Sequence, residues 1–181
     1  HVPTGGNQLI PNDFSSAGPD QVVFRLRVGA LDQQHHLYSA AIDGSGPAVR
    51  LTGDGSGAWG VGYRQASISP DGSRVVYLEY DDTSWRLFRV PSDGSQPPTP
   101  VHPPLVTGGN VDFAPSSSWL SSDGERIVYR ADQEEDERFE LFSAPLDGSS
   151  PAIRLHPALL PGADVQSYLF TGDTPARVVF L

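Results

Sequence analysis

The sequence predicts an all-β protein made of β-propeller blades, with about three four-stranded antiparallel blades, a partial fourth blade and an incomplete ring. Three observations support this fold class. A ten-residue frame that ends in Asp-Gly recurs without a gap as HHLYSAAIDG, WRLFRVPSDG and FELFSAPLDG. A triplet of β-branched and aromatic residues recurs at intervals of about 52 residues, at 22–24, 75–77, 127–129 and 178–180. No segment shows the 3.6-residue periodicity of a helix, and a period near fifty with four strands per unit is typical of propellers.

Each repeat unit is interpreted as four strands in chain order. Strand A precedes an Asp-Gly turn, strand B contains the apolar triplet, strand C is the Leu-Tyr or Leu-Phe strand, and strand D follows a second Asp-Gly turn. The Asp-Gly pairs supply the positive φ values that a tight hairpin requires. The predicted blades span residues 1–52, 53–105 and 106–158, with a partial fourth blade at 159–181.

The second and third units show this frame most completely. Strands A to D are predicted at 65–69, 74–80, 85–90 and 99–102 in the second unit, and at 117–121, 126–131, 139–144 and 152–156 in the third. In the first unit, strands B to D are predicted at 22–28, 37–42 and 48–51, and residues 8–14 are the only candidate for strand A. The fourth unit supplies strand A at 166–170 and strand B at 177–181.

The two hairpin motifs resemble the TolB-like propeller repeat of bacterial periplasmic and surface proteins. The segments SISPDGSRVVYLEY and WLSSDGERIVYRADQEEDERFELFSAPLDG carry the resemblance. Residues 69–72 match the entry motif in full, residues 122–124 lack its proline, and residues 171–175 replace the turn with TGDTP. The resemblance covers roughly residues 15–181. It implies a propeller that serves as a protein-interaction scaffold, or as the gating domain of a serine peptidase.

Composition narrows the function class. The chain has 181 residues, with 19 Gly and 17 Pro placed between short apolar runs, as in turn-rich β-structure. Its net charge of −10 is the wrong sign for a nucleic-acid binder. Disulfide bonds and Cys-ligated zinc are excluded because cysteine is absent, and no apolar run is long enough to span a membrane as a helix. The chain begins with His1 and contains no Met, so we expect a processed protein or part of a longer one.

Three carboxylates alternate along the loop between strands B and C of the third unit. Asp132, Glu134 and Asp136 have the i, i+2, i+4 spacing with which calcium loops place their oxygen ligands. Glu137 and Ser143 stand where an EF-hand requires Gly and Glu, so the full calcium motif is absent. The sequence therefore leaves two hypotheses: a weak Ca²⁺ site, which would be the only cofactor, or a solvated acidic loop.

The other motifs have structural explanations. GSGAWG at 55–60 matches a phosphate-binding glycine pattern in letters only, because a strand follows where a helix should begin. His102 and His156 recur at equivalent positions before proline, which favours a structural role. Arg74, Arg126 and Arg177 recur before the triplet and are predicted to pair with turn acids such as Asp71 and Asp123. No nucleophile elbow, HExxH motif or catalytic cysteine is present, and the sequence therefore predicts a protein that is not an enzyme.

Three functions follow as hypotheses. The first is a non-catalytic protein-binding or structural propeller module located in the periplasm, at the cell surface or in the secreted fraction of a bacterium. The second is the substrate-gating propeller part of a larger serine peptidase or hydrolase, and the third is a self-assembling surface subunit. Strand B of the fourth unit, with Val178, Val179 and Phe180, is predicted to present an unpaired edge. Other protein chains or further blades would complete the ring, so we expect a homo-oligomer or a fragment of a longer chain.

Overall fold

The computed structural model describes residues 8–17, 20–28, 34–53, 61–81, 83–112, 120–171 and 177–181. Within these ranges the chain is all-β, with fourteen strands and no helix. The strands are β1 (Gln8–Ala17), β2 (Gln21–Val28), β3 (Gln34–Ala41), β4 (Val49–Arg50), β5 (Val61–Ile68), β6 (Arg74–Tyr80), β7 (Trp85–Pro91), β8 (Thr99–Pro100), β9 (Val111–Asp112), β10 (Arg126–Ala131), β11 (Glu140–Pro145), β12 (Ile153–Arg154), β13 (Tyr168–Phe170) and β14 (Val178–Phe180). None of the described segments is a helix long and apolar enough to cross a membrane.

The strands form three four-stranded antiparallel sheets and one two-stranded sheet. The sheet orders are β1-β2-β3-β4, β5-β6-β7-β8, β12-β11-β10-β9 and β13-β14. Sequential strands therefore pair as neighbours within each sheet, as in propeller blades. This confirms the predicted fold class of about three blades and a partial fourth. The chain divides into two compact units, His1–Pro100 with the first two sheets and Val101–Leu181 with the other two.

The Asp-Gly turns are held by local hydrogen bonds to the aspartate side chain. In each of five turns the carboxylate accepts the backbone N–H two residues later, and the adjacent glycine has a φ between 65° and 79°. The acceptors are Asp43, Asp71, Asp93, Asp123 and Asp147. A residue with a Cβ rarely adopts this φ, which explains why glycine follows the aspartate in every copy.

An aromatic pair marks each complete blade. The last residue of the apolar triplet lies directly opposite an aromatic residue of the next strand, and the two rings stack. The pairs are Phe24–Tyr38 at 6.0 Å, Tyr77–Phe88 at 5.6 Å and Tyr129–Phe142 at 5.6 Å between ring centroids. These pairs fix the register of the second and third strands of each blade.

Apolar residues from neighbouring sheets form the core of each unit. In the first unit the cluster contains Val23, Leu37, Leu51, Ala66, Ile68, Val75, Tyr77 and Val90, with Phe88 packed against it. In the second unit it contains Val128, Leu141, Val165 and Tyr168, with Leu155, Leu159, Phe170 and Val178 packed against it. Residues 128, 141 and 155 align in the repeat with residues 23, 37 and 51. The two clusters therefore use matching repeat positions.

The predicted first strand of the third blade, at 117–121, lies mostly outside the described residues, which include only its last two positions. Ahead of it, β9 at Val111–Asp112 pairs with Arg130 and Ala131 of β10. Leu120 forms an isolated bridge to Ile127, and residues 113–119 lie outside the described part of the chain. In β1 and β5 the pairing register also shifts partway along the strand. An irregular first strand is thus a shared property of the blades, and hairpin motifs alone do not predict it.

Candidate functional site

The acidic loop of the third blade, between β10 and β11, does not bring its three alternating carboxylates together. Asp132 is 2% exposed, and its carboxylate accepts the backbone N–H of Asn110 and, at 3.0 Å, that of Glu137. Glu134 forms an ion pair with Arg154 on β12. Asp136 is exposed, and no group of three His, Asp or Glu side chains in the described ranges is arranged to hold a metal ion.

Asp132 is therefore a residue that fixes the loop. We expect Asp132→Ala to lower the free energy of unfolding by about 1–3 kcal/mol, because two backbone N–H groups lose their acceptor in a buried place. The exposed Asp136→Ala is the matched control, with an expected change within about 0.5 kcal/mol. Urea unfolding followed by circular dichroism measures both, and equal values for the two variants would contradict the assignment.

Calcium binding at this loop stays a prediction, and a thermal melt tests it. A site at Asp132, Glu134 and Asp136 would raise the melting temperature in millimolar Ca²⁺, because a ligand that binds only the folded state stabilises it. A loop held by protein contacts alone would not respond.

A cavity lies between the third blade and the two-stranded sheet of the second unit. It has a volume of about 340 Å³. Its apolar wall is formed by Val128 of β10, Leu155, and Phe170, Val178 and Phe180 of β13 and β14. A cavity of this size with a mainly apolar lining can hold more than one apolar side chain.

The polar end of this cavity is built from the Asp-Gly turn of the third blade. Arg126 Nε donates to Ser143 Oγ at 2.7 Å, and the Ser121 hydroxyl donates to the Asp123 carboxylate. Hydrogen bonds from Ser121 and from the Glu125 N–H lower the pKa of Asp123. In the first unit, bonds from Ser69 and Ser73 lower the pKa of Asp71 to about 2 in the same way.

The predicted pairing of the recurrent arginines with the turn acids is at most a weak electrostatic effect: hydrogen bonds from Ser121 and Glu125 lower the pKa of Asp123 most, and the positive charge of Arg126 lowers it by less. Neither the Arg74 nor the Arg126 guanidinium forms an ion pair with Asp71 or Asp123 among the described residues, because local serine hydroxyls and backbone N–H groups already occupy both carboxylates. What recurs is a backbone arrangement: the N–H groups of Arg74, Arg126 and Arg177 donate to hydroxyls of Ser69, Ser121 and Thr171.

The wall of the cavity continues into an exposed strand. Val179 is 51% exposed and Phe180 is 37% exposed, whereas Val76 and Tyr77 at the same repeat positions of β6 are both 0% exposed. Within the described ranges, β14 pairs with β13 alone, while β6 pairs with β5 on one side and β7 on the other. The predicted apolar edge at residues 178–180 therefore exists in the structure.

The histidines lie in structural positions. The Nδ1 atoms of His102 and His156 lie 2.7 Å and 2.8 Å from the carbonyl oxygens of the prolines that follow them, and both side chains are buried. His36 Nδ1 contacts the Thr52 hydroxyl at 3.1 Å, with both side chains buried. GSGAWG at 55–60 lies within the part of the chain that the structure does not describe.

Sequence reasoning predicted the edge strand but missed the cavity beside it. Leu155 and Ser143 are unremarkable in the sequence, and Val128 stands out only as a member of the apolar triplet. The repeat itself could have indicated this cavity. Val23 and Leu51 occupy the repeat positions of Val128 and Leu155, and Phe88 and Val90 of the following blade pack in the cluster that contains them.

Comparisons with known proteins identify the fold. No protein-family model matches the chain, and no curated protein matches it. A putative TolB from Agrobacterium tumefaciens is similar in structure, with a TM-score of 0.51 and 21% identity over 96% of this chain and 60% of that chain. A puromycin-hydrolyzing peptidase from Mycobacterium tuberculosis has a TM-score of 0.53 and 20% identity over 86% of this chain and 25% of its own. The isopeptidase AtxE2 has a TM-score of 0.53 and 13% identity over 94% of this chain and 25% of its own.

These likenesses establish a TolB-like β-propeller fold, as the hairpin motifs predicted. At such identities they concern the fold alone. The chain spans 60% of the length of the TolB structure and a quarter of the length of each of the two peptidases.

Proposed function

We propose that this chain is a protein-binding propeller module without catalytic activity of its own, and that a partner protein attaches along β14. The observation that carries the proposal is the exposed apolar edge of this strand. An uncovered strand with free backbone groups is a template for strand addition by another chain. The adjoining cavity adds a place where the side chains of a partner strand can be buried.

We also propose that the module works outside the cytoplasm of a bacterium. The support is the resemblance of its hairpin motifs to the TolB-like repeat of bacterial periplasmic and surface proteins, together with a fold similar to that of a TolB structure. The partner is then another protein chain or a further set of blades, and neither nucleic acid nor a membrane lipid suits a chain with a net charge of −10.

A peptide selection tests the binding role. A phage-displayed library of random decapeptides is selected on the full chain and, in parallel, on Val179→Lys. We expect binders on the native chain whose binding falls at least about tenfold on Val179→Lys, because a lysine in the middle of the edge strand disfavours strand addition.

The matched control is Ile153→Lys. Ile153 is 56% exposed and lies on β12, the outer strand of a complete four-stranded sheet. Binders should tolerate this change, since it adds the same charge at an equally exposed apolar residue. Binders that ignore Val179→Lys, or no binders at all, would contradict the proposal.

A second candidate function is the substrate-gating propeller of a larger serine peptidase or hydrolase. Its support is that the chain shares its fold with two peptidases while matching only a quarter of each. The full reading frame separates the two functions, because the second requires an α/β-hydrolase domain with a nucleophile elbow in the same polypeptide. A self-assembling surface subunit is the third alternative, and sedimentation at micromolar concentrations would show it as a mass that grows with concentration.

A further inference from the structure

We propose that Asp123, in the turn before β10, is a site of spontaneous isoaspartate formation in the folded protein, and that Asp71 in the same turn of the second blade is protected from it. The residue two positions after the aspartate makes the difference, and it is Glu125 in one turn and Ser73 in the other. The reaction is a covalent modification of the backbone, and it does not depend on the proposed binding role.

Isoaspartate forms most readily at Asp-Gly, because glycine has no side chain to hinder its own backbone nitrogen. The nitrogen of Gly124 bonds to Cγ of Asp123 and loses its proton, while one carboxyl oxygen leaves as water. The product is a five-membered cyclic imide. One water molecule then opens the ring, either at Cγ, which restores aspartate, or at the backbone carbonyl carbon, which leaves the chain running through the side chain as isoaspartate. Neither an oxidant nor a cofactor takes part.

One of the six Asp-Gly pairs in the sequence differs from the others in the residue that follows. Asp-Gly is followed by serine at 43–45, 54–56, 71–73, 93–95 and 147–149, and by glutamate at 123–125. Hydrogen bonds from Ser45 and Ser95 lower the pKa of Asp43 and of Asp93. Serine at this position therefore interacts with the turn carboxylate in more than one blade.

The turns of Asp71 and Asp123 are alike in their backbone contacts. The glycine N–H donates to the carbonyl oxygen three residues earlier, at 2.8 Å for Gly72 and 2.9 Å for Gly124, and the glycine φ values are 75° and 72°. In both turns Oδ1 of the aspartate accepts the hydroxyl of the serine two residues before it and, at 3.0 Å, the backbone N–H two residues after it.

The second carboxylate oxygen distinguishes the two turns. Oδ2 of Asp71 accepts the hydroxyl of Ser73 at 2.7 Å. Glu125 has no hydroxyl to offer, and both hydrogen bonds to Asp123 within the described ranges end on Oδ1. Asp71 is therefore held through both of its oxygens, and Asp123 through one.

Cyclisation requires the carboxyl group to be both released and protonated. Cγ has to turn away from the N–H two residues later and toward the nitrogen of its own glycine, and a carboxyl oxygen leaves as water only from the acid form. The Ser73 hydroxyl opposes both steps, because it holds Oδ2 and stabilises the ionised form. Bonds from Ser69 and Ser73 lower the pKa of Asp71 to about 2, whereas the pKa of Asp123 is lowered without a hydroxyl at this position.

Peptide mapping of the aged full chain tests the proposal. The protein is kept in mildly acidic buffer for several weeks and digested with Asp-N, which cuts before aspartate but not before isoaspartate. Electron-transfer fragmentation locates each isoaspartate. We expect it to accumulate at least about threefold faster at position 123 than at position 71, because a further hydrogen bond to a charged group has to break at Asp71. In concentrated urea, where neither turn is formed, the two rates should converge.

Substitutions at the third position of the turn separate the hydroxyl from the charge. Ser73→Ala should raise the rate at Asp71 at least about threefold, and Glu125→Ser should lower the rate at Asp123 by a similar factor. Glu125→Ala is the matched control, because it removes the charge of Glu125 without supplying a hydroxyl. It should leave the rate at Asp123 within about twofold of the parent value. Circular dichroism verifies that each variant is folded.

The outcomes decide between the hydroxyl and other causes. Equal rates at Asp71 and Asp123 in the folded protein, or a rate at Asp123 that Glu125→Ser does not change, would overturn the proposal. A decrease with Glu125→Ala as large as with Glu125→Ser would overturn it as well, since the charge of Glu125 would then set the rate. So would the absence of isoaspartate at Asp123 after a time in which the sample in urea has converted.

Discussion

Arg130→Ala is expected to lower the free energy of unfolding by about 2–4 kcal/mol, since it removes several bonds of one partly buried guanidinium at once. Arg130 lies on β10 and forms an ion pair with Asp112 of β9. Its Nη1 donates to the carbonyl oxygens of Val165 at 2.8 Å and Gln166 at 2.6 Å. The guanidinium also lies 4.7 Å from the centre of the Phe139 ring.

These contacts explain why a single side chain has such a large effect. Arg130 attaches both β9, the first strand of its blade, and the segment that leads into β13 to β10. Its loss therefore weakens two attachments that backbone hydrogen bonds alone do not maintain. Burial lowers the pKa of Arg130, an effect opposed by the negative charges of Asp164 and Asp132 and by Tyr168. An arginine still keeps its charge at neutral pH, so alanine removes a positive charge from beside the Asp112 carboxylate.

The control is Arg86→Ala in the first unit. Arg86 forms an ion pair with Asp81 at 2.7 Å, but its side chain is 45% exposed. Exposed pairs contribute little, so we expect a loss below about 1 kcal/mol. Urea denaturation followed by circular dichroism at about 218 nm, the minimum of the β-sheet signal, measures the free energy of unfolding of both variants. A loss for Arg130→Ala no greater than that for Arg86→Ala would contradict the assignment of Arg130.

The hairpins could be predicted from the sequence because their determinants are local. Each Asp-Gly turn needs only an aspartate, a following glycine and an N–H two residues from the aspartate. The aromatic residues of the second and third strands also lie within about 14 residues of each other, and their alternation fixes which face they share. Repetition of these signals along the chain predicted three blades and a partial fourth.

The pairing registers of the first strands and the contacts of the acidic loop could not be predicted in the same way, because distant residues determine them. β9 (Val111–Asp112) pairs with β10, and the Asp112 side chain bonds Arg130, which is eighteen residues away. Asp132 has the spacing of a calcium ligand in the sequence, yet the N–H of Asn110 reaches it from a separate segment. Alternating carboxylates show that a loop is acidic, but burial decides whether each one faces an ion or the protein backbone.

Two turns at equivalent repeat positions offer a comparison between neighbouring blades. Gly44 and Gly94 follow the Asp of the second turn in the first and second blades, with φ values of 72° and 65°. A Cβ at Gly44 would meet no atom within 4 Å, whereas a Cβ at Gly94 would overlap Cγ1 of Val49 on β4. Val49 is β-branched and stiff about its first side-chain torsion, so it cannot move aside cheaply. The second Asp-Gly turn of the second blade therefore packs against the first blade through Gly94, which has no room for a side chain.

Gly94→Ala is expected to lower the free energy of unfolding by about 2–5 kcal/mol, the sum of the left-handed backbone cost and the overlap with Val49. Gly44→Ala bears the backbone cost alone, so its expected loss is about 1–2 kcal/mol. The difference between the two variants measures the contact between the first two blades, because the turns are otherwise alike. Adding Val49→Ala to Gly94→Ala should recover part of the loss. Urea unfolding of the parent protein, the two single variants and the double variant gives the coupling free energy between the two residues. Equal losses for Gly44→Ala and Gly94→Ala, with no coupling to Val49, would mean that this turn does not pack against the first blade in solution.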